Sequence, residues 1–313
     1  MIKIIDDWYI EVESSPTNYT VKRGKGERDK NGKNRDKIYG YYGSLLNALK
    51  ALRKEIKELK ASGNSEQVTE CEKKIAQLKE EIKAAKEFKD VEFCHATGTK
   101  AHTEGLANFH NAFASIYEGR YLAGVAAGMK LNEMIANGDI TEDQAKMGYV
   151  GAFPYAEVIS GYTSFYLGAK SVCPSVTMDV KYTNSWFDIA KEKEAANALI
   201  AGGCVLMSQH ADSEGAPKAC EEAGVPDVAY NLDTREWGPN TALVSSKINW
   251  TPYFKHIITA VKEGTEITQD YCGSLKDDGV QILGLNDKVA AEGTQEKLDE
   301  VKAKLISGDI KVF

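Results

Sequence analysis

Two stretches of residues 44–88 carry apolar side chains at spacings that alternate between four and three. The first holds Leu45, Leu49, Leu52, Ile56 and Leu59, the second Val68, Cys71, Ile75, Leu78, Ile82 and Ala85. That spacing is the seam of two helices. The intervening "SGN" breaks them apart and leaves Ser65 as an N-cap, so the pattern predicts an antiparallel helical hairpin over 44–89. The hairpin could pack on the rest of the chain or serve as a self-association surface. Ahead of it, Ile2, Ile4, Trp8, Ile10 and Val12 fall on even positions, the period of a half-buried strand. "NYTVKR" and "KIYGYYG" read as further strands, making residues 1–43 a small β unit. The stretch 22–37 between them holds eight bases and three acids. It reads as a solvated hairpin tip, and a basic loop beside aromatics is also a way to contact nucleic acid.

From about Asp90 the pattern changes. "DVEFCHA" is a short strand, and "NAFASIYEGRYLAGVAAGMKLNEMIANG" reads as one long helix, rich in small residues and stopped by Gly138. Then come a strand "KMGYVGAF", a helix "PYAEVISGYTSFYLGAKSV", a strand "TMDVKYTNSW", a helix "IAKEKEAANALIAGG", a strand "CVLMSQ", a helix "GAPKACEEAG" and a strand "DVAYNLD". Alternating strands and helices predict right-handed crossovers and a parallel sheet, hence an α/β fold.

In such sheets ligands gather at the carboxyl ends of the strands. Four loops occupy that position, and they bring Phe153, Trp186, Phe187, Asp188, Gln209, Asp212, Asn231 and Asp233 to one rim. Aromatic faces offer stacking surface, and acids and amides offer hydrogen bonds, which is how small-molecule clefts are built. Other readings compete at several positions. Trp186 and Phe187 could cap the core. Asp188 could cap the helix that begins at Ile189, and Asp212 and Ser213 could cap the next one. His210 reads as a loop or core histidine.

Composition narrows the function. Of 313 residues, 42% are hydrophobic and 27% charged, an ordinary globular balance, and the net charge of −7 argues against a chain that binds nucleic acid along its whole length. No apolar run approaches a membrane span. "MIKIIDDWYIEVESS" has acids where a signal peptide would be apolar, which points to the cytoplasm for the chain as written. Cys71, Cys94, Cys173, Cys204, Cys220 and Cys272 form no CxxC pair and read as free thiols. His95, His102 and His110 match no metal-ligand spacing, and no nucleophile–base pair, metal set or phosphate-cradling glycine loop stands out. An enzyme is the least favoured reading, and no cofactor is expected.

"GTKAHTEGLANFHNAFASIYEGRYLAGVAAG", "GYVGAFPYAEVISGYTSFYLGAKSVCPSVTM", "TNSWFDIAKEKEAANALIAGGCVLMSQHADSEGAPKACEEAGV" and "NTALVSSKINWTPYF" resemble, in order, the basic membrane protein family. These are PnrA-like substrate-binding lipoproteins of ABC importers. The resemblance covers about residues 90–313. It implies a type I periplasmic-binding fold of two lobes, no catalytic activity, a transporter permease as partner and a cell-surface location. It also implies a nucleoside-like ligand, with the base stacked between aromatics and the ribose held by acids and a lysine. Trp186, Phe187 and Asp188 match the family's second-lobe aromatic motif; Gln209 and Asp212 match the next strand, and Asn231 and Asp233 the one after. Ile248 stands where nucleoside binders tend to have lysine, with Lys247 adjacent.

The resemblance also implies that the opening of the first lobe is replaced by residues 1–89, whose β unit is similar to small phage proteins. Residues 90–140 and 236–313 then form a partial first lobe and hinge, and 141–235 the second lobe. A truncated first lobe should impair binding. The competing reading is a non-transport fusion whose N-terminal basic and coiled-coil segment mediates protein or nucleic-acid contacts.

Overall fold

A computed structural model describes residues 2–5, 8–12, 19–28, 34–42, 76, 79–80, 82–98 and 101–313. The chain forms two compact units, residues 1–113 with 256–272 and residues 114–255 with 273–313. The boundaries expected at 140/141 and 235/236 both fall inside the second unit.

In the first unit, β1 (Ile2–Ile5), β2 (Trp8–Val12), β3 (Tyr19–Arg28) and β4 (Asn34–Tyr42) form a four-stranded sheet in that order, each antiparallel to the next. The even-numbered alternation of residues 2–12 is thus divided between two strands that fold back, with Ile2 opposite Ile10. The basic stretch 22–37 is mostly strand, since β3 runs to Arg28 and β4 resumes at Asn34.

Most of the expected helical hairpin lies outside the described residues. Its final turns, 82–87, are helical, and there Ile82 and Ala85 are buried with Ala101 and Phe109 against Phe93 and Leu106. These seam positions therefore pack on the α/β part of the first unit. β5 (Phe93–Ala96) pairs in parallel with β6 (Phe109–Ala114), which lies between β5 and β12 (Asp270–Gly273). Asn108 ties the preceding helix down: its side-chain amide is shared among the carbonyls of Ala85, Phe88 and Val91 at 3.0, 3.0 and 2.8 Å. "NAFAS" belongs to β6 and its end, so the long helix starts later than its composition suggests. Phe109 and Ala112 are buried in the sheet, and that pairing overrides local helix preference.

The second unit is built on one six-stranded sheet of order β13-β11-β10-β9-β7-β8. The strands are β7 (Lys146–Gly151), β8 (Thr177–Tyr182), β9 (Leu206–Gln209), β10 (Asp227–Tyr230), β11 (Ala242–Ile248) and β13 (Val280–Leu283). All pairs are parallel except β11–β13. Helices α1 (Ile116–Asn137) and α2 (Ala156–Val172) pack together on one face; α3 (Ile189–Ala201) and α4 (Gly215–Ala223) pack together on the other. Small residues let α1 and α2 touch backbone to backbone. A Cβ on Gly124 would stand 2.0 Å from the Phe165 carbonyl oxygen, and one on Gly168 2.0 Å from that of Tyr121. α1 ends on Gly138 in the left-handed conformation, where the sequence places its stop. Among the described residues no helix is long and apolar enough to cross a membrane, and no three His, Cys, Asp or Glu side chains cluster for a metal.

One acid is buried at the start of β10. Asp227 is fully enclosed; its Oδ1 receives the Cys220 thiol at 3.9 Å, and its Oδ2 is buried without a partner among the described residues. Burial lifts its pKa from 3.8 to about 7, although Arg120 pulls the other way. A carboxyl that holds its proton more tightly when folded stabilises fully below about pH 4, and that contribution fades as pH rises towards 7. Asp227→Asn should therefore raise the melting temperature at pH 8 by several degrees and change it little at pH 4. Calorimetry at the two pH values checks this, and an equal shift at both would mean that the carboxyl does not ionise in that window.

Candidate functional site

The strand order decides where the site lies. Read from β7, the parallel strands run second, first, third, fourth and fifth. The chain leaves β7 towards α2 and leaves β9 towards α4, and in sheets of this order the gap between those carboxyl ends is where a ligand crevice is expected. The loop after β7 carries Phe153 and Tyr155, that after β8 Trp186, and that after β9 His210. Tyr230 ends β10.

These five rings form one continuous series. Phe153 stacks on Tyr155 with centroids 5.3 Å apart and planes 15° apart. Trp186 leans on both, at 5.2 Å from Phe153 and 5.8 Å from Tyr155, and on His210 at 6.0 Å. His210 in turn stacks on Tyr230 at 4.8 Å and 22°. Glu157, from the first turn of α2, fixes the far end. One of its oxygens lies 3.2 Å from His210 Nε2 and accepts from Tyr230 Oη at 3.4 Å. Burial pushes the Tyr230 phenol well above its ordinary pKa. Phe153, His210 and Tyr230 are buried, and Tyr155 and Trp186 are half-buried, so these two offer the accessible part of the series.

The polar residues predicted for this rim divide between two tasks. Asp188 caps α3, accepting from Lys191 N at 3.0 Å, while its own N–H donates to Glu192 Oε1 at 2.9 Å. Glu192 also accepts from the Ser213 hydroxyl, which bolts the β8 loop to the β9 loop. Burial raises the Glu192 pKa. Gln209 is buried, and its amide donates to the carbonyls of Ala211 and Ser213 at 2.8 and 3.0 Å, bracing the β9 loop from beneath. Asp233 is locked to Arg235, whose Nε lies 2.9 Å from Oδ1, and this contact lowers the Asp233 pKa. Asp188, Gln209 and Asp233 are thus engaged in building loops.

Asp212 and Asn231 remain at the open edge. The Asn231 amide donates to Asp212 Oδ2 at 3.4 Å and its oxygen accepts from Ile248 N at 3.0 Å, joining three strand ends. Phe187 takes part in none of the ring contacts above and is 65% exposed. The structure therefore brings Phe153, Trp186, Asp212 and Asn231 to one rim and adds Tyr155 and Tyr230, which sequence reasoning passed over, and His210, which it read as a loop or core histidine. The signal for these three was present: each lies at a carboxyl strand end or within four residues of one.

The Ser213–Glu192 bolt gives a direct test of loop coupling. Ser213→Ala leaves a buried carboxylate oxygen without its donor, a loss of about 1–3 kcal/mol that should appear as a lower melting temperature. An unchanged melting curve would mean that the two loops are not coupled through this pair.

Comparison with known proteins gives this geometry a family. Residues 76–312 match the family model described as ABC transporter substrate-binding protein PnrA-like. A purine-binding protein of Brucella abortus is 33% identical over 232 residues, covering 74% of this chain and 61% of that one. A putative ABC transporter glucose-binding protein of Haloferax volcanii is 35% identical over 219 residues, covering 70% and 51%. The chain thus spans between half and three-fifths of these relatives' own length. Among solved structures, a solute-binding protein of an ABC transporter system from Aeropyrum pernix shares the fold, with a TM-score of 0.63 at 16% identity over 84% of this chain and 81% of that one. The α/β fold with parallel sheets is that of type I periplasmic-binding proteins, and the chain belongs to the PnrA-like family of ABC transporter substrate-binding proteins.

Proposed function

We propose that this chain is the ligand-capturing component of an ABC importer, and that its ligand is a purine, as the free base or a nucleoside. The observation that carries the reading is the unbroken series of five rings at the crevice, with Trp186 at its accessible part. A flat heteroaromatic base gains most from such a surface, because offset stacking adds to the area it buries. Asp212 and Asn231 stand at the edge of the wall, where they meet the N–H groups of a base or the hydroxyls of a ribose. The name of the Brucella relative supports the purine. Ile248 is buried in the position where nucleoside binders tend to have lysine, which favours a grip on the base over a grip on the ribose. The captured ligand passes to a membrane permease, with the protein working outside the membrane.

A sugar is the second reading. The Haloferax relative favours it, and the apolar face of a pyranose also packs on an aromatic ring. Calorimetric titration with adenine, hypoxanthine, adenosine, guanosine and D-glucose separates the two. Purine binding near micromolar, about −8 kcal/mol, is expected. Trp186→Ala should weaken it at least tenfold, because aromatic anchors dominate such sites, and Phe187→Ala should change it less than threefold. Glucose binding without purine binding would overturn the purine reading, and a Phe187→Ala effect larger than that of Trp186→Ala would move the site.

A further inference from the structure

Behind the aromatic series, two polar atoms are buried without a hydrogen-bond partner among the described residues: the hydroxyl of Tyr149 and Nδ1 of His210. Tyr149 is fully enclosed in β7 and His210 is 5% exposed. Both atoms face the same spot on α2. A Cβ built on Gly161 would lie 3.7 Å from Tyr149 Oη and 3.9 Å from His210 Nδ1, with no other heavy atom within 4 Å outside its own stretch of helix. Arg120 lies close enough to the Tyr149 hydroxyl to act on it, and its own Nε is buried without a partner among the described residues.

Buried polar groups are almost always satisfied, and a small polar space with two to four partners is where proteins hold an ordered water. We infer that the space beside Gly161 is a binding site for one ordered water, which accepts from Tyr149 Oη and donates to His210 Nδ1. The tautomer follows from the other nitrogen. Glu157 Oε1 lies 3.2 Å from Nε2, so in the neutral imidazole the proton belongs on Nε2 and Nδ1 is left to accept. The bound water makes His210 a positioning residue. Its ring is held at both nitrogens in the plane that stacks on Tyr230, whatever ligand the crevice takes.

The test uses Gly161 variants of the full chain. Gly→Ala inside a helix ordinarily stabilises, and a methyl group at 3.7 and 3.9 Å meets no steric clash. If the methyl group displaces a structural water, Gly161→Ala should instead lower the melting temperature by a few degrees. Gly161→Ser, which brings its own hydroxyl, should recover most of that loss. Nitrogen-15 spectra of His210 should show the Nε2–H tautomer in the wild type and in Gly161→Ser, and a mixture in Gly161→Ala. A high-resolution crystal structure should show density within hydrogen-bonding distance of both atoms. A rise in melting temperature for Gly161→Ala, a wild-type Nδ1–H tautomer, or a well-ordered site without density would each overturn the inference. None of these readouts depends on the purine reading, which stands or falls on the titrations.

Discussion

The second unit is organised around a cation that never meets water. Arg120 projects from α1 and is fully buried. Its guanidinium donates to the Ser208 hydroxyl at 2.6 Å, the Ala229 carbonyl at 3.0 Å and the Ser246 hydroxyl at 3.3 Å, so one side chain holds β9, β10 and β11 together. The rings of Tyr149, Phe165 and Tyr230 surround it at 5.3, 5.1 and 5.7 Å. Taking a guanidinium out of water costs several kcal/mol. Charge-assisted hydrogen bonds and ring faces return that cost only if every one of them keeps its place. The cage is therefore a constraint on its neighbours. It needs small hydroxyl residues on β9 and β11, rings on β7, β10 and α2, and a helix pair that packs closely enough to carry the cation inwards.

Tyr230 connects the cage to the rim. Its ring meets both the Arg120 guanidinium and the His210 ring. Glu157 reaches both His210 and Tyr230 with a single oxygen. The His210–Tyr230 end of the aromatic series is thus tied to the core. A binding surface prepared in this way loses little conformational entropy when a ligand arrives, which is the advantage of a preorganised site.

The loops around the crevice follow the same economy. Asp188, Glu192 and Ser213 bond one another or the backbone, and the Gln209 amide nitrogen donates to two loop carbonyls while its oxygen has no partner among the described residues. This network leaves Asp212 and Asn231 at the edge, where they tie neighbouring strand ends together within reach of a ligand. In the first unit Asn108 plays a comparable role, gathering the Ala85 carbonyl of the helix at 82–87 and the Phe88 and Val91 carbonyls that follow it.

The sequence alone determined the α/β class, the order of elements from β7 to β10 and the family, because alternation of period and the position of stops such as Gly138 are local properties. It also placed Phe153, Trp186, Asp212 and Asn231 at carboxyl strand ends, since that rule needs only the order of elements. Three things were decided by tertiary structure. Phe109–Ala114 became strand because a parallel neighbour was available for it, which no local preference records. Asp188, Gln209 and Asp233 look like ligand groups in sequence, and only the contacts show that Asp188 accepts from Lys191, Asp233 from Arg235, and that the Gln209 amide nitrogen donates to Ala211 and Ser213. Arg120, an unremarked base in a helical stretch, lies at the centre of the fold because residues more than 80 positions away converge on it, and such convergence belongs to the sheet order and not to any window of sequence.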